Sequence, residues 1–470
     1  MVSSRRVFRY FLILFLIALI SFVLIGFQFL SEDEDKEMDD DYIDYGEEPR
    51  IPLHDEMELL ALKPDKINQP IILWWTPFTG EKGRYKTCGD NKCFFSVNRH
   101  LKDHPKTQVF MFYGSDMKMD DLPLPRLPHH EWALFHEESP KNSYYFSHAD
   151  VMTMFNHTCT FRRESDYPIT TQYLISLDWL QSMKYVVPVK EKNEWQAELG
   201  SIIYTHSDCD PPSDRDSYVK ILMDLVQVDA YGKCLHNKNI PDHLSDPIKG
   251  MDHVDFYKLV AKYKFSLAME NGVCPDYVTE KLWRPLMVGS VPIVYGSPTV
   301  RDLLPSNHSA IIINDFKSVK ELAAYLKYLD NNDDEYNKYL EWKKTGVTNP
   351  ILLKILKNRE WSIDSGGSWS PTAINFIDGF ECFVCKRVHE NIQRKKRGRR
   401  QKNHMATFEH YGCPKPTKFS FDGNKQIDDM NWQSEWELHG KMAKTLRHFI
   451  DHNIKYDVKS ILEESFKEMH

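Results

Sequence analysis

The chain lacks several features that would assign it to a common protein class. Its 470 residues contain no internal repeat, and only one uninterrupted apolar run is long enough to cross a membrane, so a solenoid and a polytopic membrane protein are excluded. Glycine is scarce, at 20 residues, which excludes a collagen-like chain. No G-x-G-x-x-G dinucleotide fingerprint is present. The 41% of hydrophobic and 27% of charged residues instead indicate a globular protein of two or three domains.

Strong net charge is also missing from most of the chain. The formal charge of −8 consists of +3 over residues 1–30, −9 over residues 31–50 and only −2 over the remaining residues. The acidity therefore lies in one short segment. The nearly neutral body has no general excess of positive charge that would predict nucleic-acid binding.

The single apolar run predicts a membrane anchor. Residues 10–30 carry no charge and have the length that a helix needs to cross a bilayer. Three arginines precede the run, which predicts a cytoplasmic N-terminus and a body in the lumen. We therefore expect a single-pass type II membrane protein with a cytoplasmic tail over residues 1–9 and a stem over residues 31–69. A cleaved signal peptide is the alternative.

A lumenal body explains several further features. Nine cysteines predict disulfides, and their odd number leaves at least one thiol free or intermolecular. The sequons at Asn156 and Asn307 agree with a secretory-pathway protein. The run 394–402, with seven basic residues in nine, is interpreted as a solvated loop, with proprotein cleavage or binding of an acidic partner as alternatives.

Two series of short apolar runs predict an α/β fold with parallel sheets, because the runs of the second series alternate with helical patterns. The expected strands are 71–75, 108–113, 132–136 and 151–155, then 201–205, 265–270, 291–295 and 310–314. The expected helices are 214–226, 255–262, one from residue 280, 319–329 and, near the end, 436–450. The predicted domains are 70–195 and 196–365, facing each other across a cleft, followed by an extension over 366–470.

The densest group of candidate functional residues lies in residues 263–296. A buried strand delivers Asn271, and Thr279 stands where an N-cap is expected, with Glu280 and Lys281 in the first helical turn. A helix N-terminus with an added lysine suits a diphosphate, and Glu280 could accept hydrogen bonds from sugar hydroxyls. The alternative is a capped helix with a solvated Glu–Lys pair.

Two further motifs follow predicted strands. Glu137 and Glu138 come directly after the run that ends at residue 136; adjacent carboxylates raise each other's pKa, which suits a general base, and a surface pair is the alternative. Arg215 follows the candidate caps Ser213 and Asp214 and could hold diphosphate oxygens. The acidic pairs in this stretch formally resemble a metal-binding Asp-x-Asp, an interpretation that we do not favour.

The stretch 263–296 closely resembles the signature of the α1,3-fucosyltransferase family, glycosyltransferase family 10: Tyr-Lys-Phe, Glu-Asn, Asp-Tyr-x-Thr-Glu-Lys and Val-Pro. The resemblance covers most of residues 70–390. It implies the GT-B architecture of two facing Rossmann-like domains, GDP-fucose as the donor, inversion of the anomeric centre and no obligatory metal or other cofactor. It implies Glu138 as the general base, with Glu137 as the fallback. The donor-binding residues that it implies are Arg215, Tyr263, Asn271, Tyr277, Glu280 and Lys281.

The resemblance also bears on the cysteines. Cys209 and Cys234 match a family disulfide, and the family's C-x-x-C pairs with cysteines near the start of the catalytic body. Cys88 and Cys93 are therefore candidate partners of Cys382 and Cys385. A local bridge between residues 382 and 385 and a zinc site with the downstream histidines are alternatives, and three cysteines remain unassigned: Cys159, Cys274 and Cys413.

Segments such as LWWTPFTG, WALFHEESP, SDCDPPSDRDSYV and GFECFVC resemble the divergent branch of fucosyltransferases 10 and 11. That branch implies protein O-fucosylation on Ser or Thr of EMI-type domains at the endoplasmic reticulum membrane. The alternative acceptor is N-acetylglucosamine in N-glycans or lactosamine, and the alternative compartment is the Golgi. A hypothesis of another class is a non-catalytic lumenal lectin or chaperone.

Overall fold

The computed structural model describes residues 66–78, 83–246, 249–363, 374–428 and 431–467. The predicted tail and anchor and most of the stem lie outside these residues. Within the described ranges, no helix is both long and apolar enough to cross a membrane.

The first α/β unit is built on a six-stranded sheet with the order β2-β3-β1-β4-β5-β6. All neighbours are parallel except the β2–β3 hairpin. Strand β1 is buried throughout, as expected for a parallel sheet covered on both faces. The strands are β1 (Ile71–Thr76), β2 (Arg84–Cys88), β3 (Asn91–Ser96), β4 (Thr107–Tyr113), β5 (Glu131–His136) and β6 (His157–Thr160).

The prediction of a strand over 151–155 is wrong. This stretch begins in the short helix α1 (Ala149–Met152) and continues in a turn, and β6 follows it. A short apolar run satisfies a buried helical turn as well as a buried strand. Val151, Met152 and Phe155 are fully buried in the core. The apolar pattern therefore predicted the burial of these residues correctly, but it predicted the wrong secondary structure.

The second unit is built on a parallel five-stranded sheet with the order β11-β10-β9-β7-β8. The predicted strand 310–314 is shortened to two residues, because Ile313–Asp315 forms a 3₁₀ turn. The strands are β7 (Ile202–Tyr204), β8 (Val228–Ala230), β9 (Phe265–Met269), β10 (Val291–Tyr295) and β11 (Ile311–Ile312). The helices after α1 and around this sheet are α2 (Leu177–Gln181), α3 (Val189–Trp195), α4 (Arg215–Met223), α5 (Val254–Ala261), α6 (Glu280–Val288) and α7 (Val319–Asp330).

The remaining elements follow in chain order, and the last of them return to the first unit. They are α8 (Asp333–Lys338), α9 (Trp342–Thr345), α10 (Pro350–Asn358), α11 (Phe376–Lys396), the hairpin β12 (Lys418–Phe419) and β13 (Gln426–Ile427), α12 (Asn431–Asp451) and α13 (Val458–Lys467). Phe380, Val384 and Val388 of α11 pack into the core of the first unit. The extension is therefore part of the body and not a separate domain.

Disulfides fix α11 to the β2–β3 hairpin. Cys382 and Cys385 lie one turn apart on one face of the helix and bond to Cys88 and Cys93 respectively. The local bridge between residues 382 and 385 is not formed, and the zinc site loses its cysteine ligands. The structure also joins Cys209 to Cys234 and Cys274 to Cys413, and it leaves the buried Cys159 free.

The basic run is only partly a loop. Residues 394–396 form the last turn of α11, where positive charge opposes the negative end of the helix dipole. Residues 397–402 follow the helix and are exposed.

Candidate active site

The second unit contains a cavity of about 610 Å³ at the carboxyl ends of its strands. This is where open α/β sheets bind ligands, and the volume is typical of a small-molecule site. Four of the predicted donor residues line it: Arg215, Asn271, Glu280 and Lys281.

The helix N-terminus that the sequence predicts forms one wall of the cavity. Thr279 is the N-cap of α6 and accepts a hydrogen bond from the backbone of Lys281. Lys281 Nζ lies 3.0 Å from Glu280 Oε1 and 3.6 Å from Glu270 Oε2. Burial disfavours charge on Glu280, but Lys281 and Arg284 outweigh it and lower the pKa of Glu280 to about 2. The cavity wall therefore carries charged, not neutral, side chains at neutral pH.

Arg215 is held by backbone carbonyls and not by a carboxylate. Its guanidinium donates to Met269 O and Asp208 O, each at 2.8 Å, and the side chain is almost fully buried. Its Nε atom has no partner among the described residues. This arrangement fixes the guanidinium beside the cavity, and no carboxylate of the described ranges forms an ion pair with it.

Three cations converge on one side of the cavity. Arg215, Lys281 and Arg284 all line it, and so does the buried His206. Burial lowers the pKa of His206, and the three cations lower it further. His206 is therefore neutral, and the positive charge of the site comes from the two arginines and the lysine, an arrangement that suits the two phosphates of a nucleoside diphosphate.

Two of the predicted donor residues do not line the cavity. The Tyr263 hydroxyl donates to Asp229 Oδ2 at 2.8 Å and lies 2.7 Å from the hydroxyl of Tyr231, which does line it. Tyr263 therefore stands behind Tyr231. Tyr277 packs in the core against Phe161, with ring centroids 5.0 Å apart.

The loop that carries Glu138 leaves the first unit and contacts the mouth of the cavity. A Cβ atom at Gly272, which follows β9, would lie only 2.9 Å from Pro140 Cγ and 3.1 Å from Ser139 Oγ, so only glycine allows this close approach. On the same loop, Lys141 forms an ion pair with Asp208, a residue of the cavity wall. The fold thus brings the predicted base and the predicted donor residues together from two separate units.

The two candidate bases lie in different surroundings. Glu137 is 8% exposed and accepts a hydrogen bond from the Tyr113 hydroxyl at 3.2 Å, and burial raises its pKa to about 8. Glu138 is half-buried and accepts from Asn142 Nδ2 at 3.1 Å. Burial raises the pKa of Glu138, while Lys281 opposes the rise. Of the two carboxylates, Glu138 is the more exposed, and it lies close enough to Lys281 of the cavity wall for that charge to lower its pKa.

Replacing Glu137 by glutamine is expected to reduce the pH dependence of stability. The pKa of Glu137 is about 8 in the folded chain, against an ordinary value of 4.5. As the pH rises from about 5 to about 8, the unfolded chain loses this proton and the folded chain keeps it. The natural chain should therefore lose up to about 3 kcal/mol of stability over this window. Chemical denaturation of Glu137→Gln should show a smaller loss, and an equal loss in both proteins would contradict the buried, protonated state.

Neither predicted cap of α4 acts as one. Asp214 has a positive φ of 53° and makes no capping hydrogen bond; its carboxylate accepts from Phe419 N at 2.6 Å. The Ser213 hydroxyl donates to Glu270 O at 2.7 Å. Both side chains therefore hold neighbouring segments in place and do not satisfy the helix amides.

The two sequons differ in accessibility. Asn307 is exposed. The Asn156 amide is buried, with Oδ1 accepting from Trp132 N at 2.8 Å and Nδ2 donating to His404 O at 2.7 Å. The Nδ2 atom that would carry a glycan is thus already used inside the fold, so the structure argues against glycosylation of Asn156.

Several residues of the site were not predicted from the sequence, among them His206, Arg284 and Gly272. His206 lies two residues after β7, and Arg284 lies one helical turn after Lys281 on α6, so helical spacing could have identified Arg284. Nothing in the sequence except its place after β9 marks Gly272 as part of the site. Its role is to allow the close approach of the Glu138 loop, which comes from the other unit.

Comparison with known proteins points to one enzyme family. Residues 67–173 match the model for the N-terminal part of fucosyltransferases, and residues 195–403 match the model for the C-terminal part of glycosyltransferase family 10 (fucosyltransferase). GDP-fucose protein O-fucosyltransferase 3 of Gallus gallus is 47% identical over 86% of this chain and 85% of its own length. The Homo sapiens protein of the same name is 46% identical over 85% and 83%.

Solved structures include an α1,3-fucosyltransferase with bound GDP. It is 16% identical to this chain, with a TM-score of 0.37 over 72% of this chain and 95% of that chain. The two family models together span both α/β units, and the relatives match at well over 40% identity across most of their length. The chain therefore belongs to glycosyltransferase family 10, the fucosyltransferase family.

Proposed function

We propose that this chain transfers L-fucose from GDP-fucose to a serine or threonine hydroxyl of a secretory-pathway protein, with an EMI-type domain as the acceptor. The observation that carries the proposal is the cation-lined cavity of the second unit with the Glu138 loop at its mouth. The names of the relatives, which specify protein O-fucosylation, support the choice of a protein acceptor.

The reaction in this arrangement is a single displacement within the GT-B architecture. Glu138 takes the proton from the acceptor hydroxyl while that oxygen forms a bond to the anomeric carbon. The bond from this carbon to the β-phosphate oxygen breaks, and GDP leaves with the negative charge. Attack from the face opposite the diphosphate inverts the anomeric configuration.

The protein's own cations stabilise the leaving group. Arg215, Lys281 and Arg284 supply positive charge beside the diphosphate, and the α6 N-terminus adds its dipole. We infer that no metal ion is obligatory, because these groups provide the charge that a divalent cation provides in other glycosyltransferases. Activity that is unchanged by EDTA is the expected result, and loss of activity would contradict it.

We further propose that the enzyme is anchored as a type II protein in the endoplasmic reticulum membrane, with the Golgi as the alternative compartment. The uncharged run 10–30 with its preceding arginines supports this topology, and so do the disulfides, which form and persist in an oxidising lumen.

The acceptor is tested by incubating the full chain, solubilised in mild detergent, with GDP-fucose and two substrates in parallel. One substrate is a folded EMI domain, and the other is an N-acetyllactosamine glycan. We expect mass spectrometry to find one deoxyhexose on a serine or threonine of the EMI domain. Fucose on the glycan alone would contradict the acceptor assignment. Bound GDP-fucose with fucose on neither substrate would instead support a lectin or chaperone.

A further inference from the structure

A segment of the C-terminal extension crosses from one α/β unit to the other. We call residues 405–428 the strap. It begins on the first unit, where Ala406 N donates to Phe155 O at 2.8 Å. It continues to the second unit, where the ring of Phe419 lies 4.7 Å from that of Tyr218 and 5.2 Å from that of Tyr295. The strap therefore touches the core of both units.

A disulfide joins the strap to the donor site. Cys413 of the strap is bonded to Cys274, which lies in the loop between β9 and α6. This loop also contains Asn271 and leads to Lys281, and both residues line the cavity. Both cysteines are fully buried. The strap is thus tied covalently to the loop that holds the proposed donor-binding residues.

Two residues before this cysteine, Tyr411 contacts the loop of the proposed base. Its hydroxyl donates to the backbone carbonyl of Glu138 at 3.1 Å, and its ring lies 5.1 Å from that of His136. The Tyr411 side chain is completely buried. Arg162 Nη1 donates to Tyr411 O at 3.3 Å, which fixes the backbone of the strap at this point.

The consequence is a short path between the two halves of the active site. It runs from the donor loop through the Cys274–Cys413 bond to Tyr411 and then to the carbonyl of Glu138. A general base must lie within hydrogen-bond reach of the proton it removes, and a displacement of about 1 Å can cost about 100-fold in rate. Two units that carry the base and the donor separately therefore need a connection of this kind.

We infer that Tyr411 is a positioning residue for fucose transfer, which holds Glu138 at the correct distance from the donor through the strap. The inference rests on the proposed function, in which Glu138 is the general base. The inference gives the C-terminal extension a role in positioning the base. The sequence alone predicted no role for this extension.

The test is Tyr411→Phe in the full chain, which removes the hydroxyl and keeps the ring. The matched control is Tyr456→Phe, because the Tyr456 hydroxyl also lies in the extension and donates to a backbone carbonyl, Met119 O, at the same 3.1 Å. We expect Tyr411→Phe to lower kcat about 10-fold, with an unchanged KM for GDP-fucose. Tyr456→Phe should keep the kcat of the natural chain. Both variants should unfold at similar temperatures.

Equal kcat values for Tyr411→Phe and Tyr456→Phe would overturn the inference. So would a loss in Tyr411→Phe that appears as a higher KM for GDP-fucose, because that would place the effect on donor binding. A Glu138→Gln variant run in parallel separates this outcome from failure of the proposed function: if Glu138→Gln is inactive and Tyr411→Phe is fully active, only the positioning role is refuted.

Removal of the covalent link provides an independent test. Replacing Cys274 and Cys413 together by serine should lower kcat and spare the dissociation constant of GDP-fucose. The matched control replaces Cys88 and Cys382, which join α11 to the hairpin of the first unit alone. An equal effect of both double variants on kcat would contradict a specific role for the strap.

Discussion

Glu138→Gln is expected to lower kcat for fucose transfer by about 10³-fold and to leave the dissociation constant of GDP-fucose unchanged. Glutamine has the size of glutamate but cannot accept the proton of the acceptor hydroxyl. The donor cavity is lined by residues of the second unit, whereas Glu138 belongs to a loop of the first unit, so the substitution should not disturb the donor. Steady-state rates and calorimetric titration with GDP-fucose measure the two quantities separately.

The matched control is Glu131→Gln. Glu131 begins β5, and Glu138 follows the end of the same strand. Glu131 is also partly buried, but it faces His157 at 2.7 Å and lies away from the cavity. We expect this control to keep full activity. Turnover by Glu138→Gln near that of the natural chain would refute the assignment of the base.

Lys281→Met is expected to raise the dissociation constant of GDP about 30-fold. A hydrogen bond from a charged group contributes about 2 kcal/mol, which corresponds to this factor. Lys281 lines the cavity at the first turn of α6. Two carboxylates, Glu280 and Glu270, lie within 4 Å of its ammonium group, and without the lysine they would repel the diphosphate more strongly.

Lys264, a buried lysine elsewhere in the second unit, provides the control. Lys264 precedes β9 and lies 3.3 Å from both Asp330 and Asp333, so Lys264→Met also leaves two carboxylates without their lysine. It lies at the opposite end of β9 from the cavity. Lys264→Met should therefore lose thermal stability but bind GDP normally. An equal loss of GDP affinity in both variants would show that the effect of Lys281 is not local.

The candidate donor-binding motif in the second unit was predictable because its information is local. A buried strand, the N-cap Thr279 and the charged first turn of α6 all lie within residues 263–296, and the structure has β9, α6 and β10 at these positions. In the first unit, β1, β4 and β5 were also predicted, because each is a continuous apolar run of the kind that buried parallel strands show. The β2–β3 hairpin was missed, because β2 is mainly polar and the apolar part of β3 is limited to Cys93, Phe94 and Phe95.

Other features depend on contacts between distant residues. Tyr411 and the Glu138 carbonyl are separated by 273 positions, and Cys274 and Cys413 by 139. No local pattern encodes such pairs. The helix α11 was also missed, because its C-x-x-C was considered only as a disulfide or zinc motif, whereas in the structure the two cysteines share a helix face that is bonded to the hairpin.

The stereochemistry of the product tests the central claim most directly, namely that Glu138 of one unit activates an acceptor hydroxyl against a donor held by the other. The measurement is the anomeric configuration, by NMR, of fucose transferred by the full chain to a folded EMI domain. Base-assisted single displacement predicts the configuration opposite to that in GDP-fucose. Retention of the donor configuration would contradict the account, because a single displacement from the face opposite the diphosphate cannot retain it.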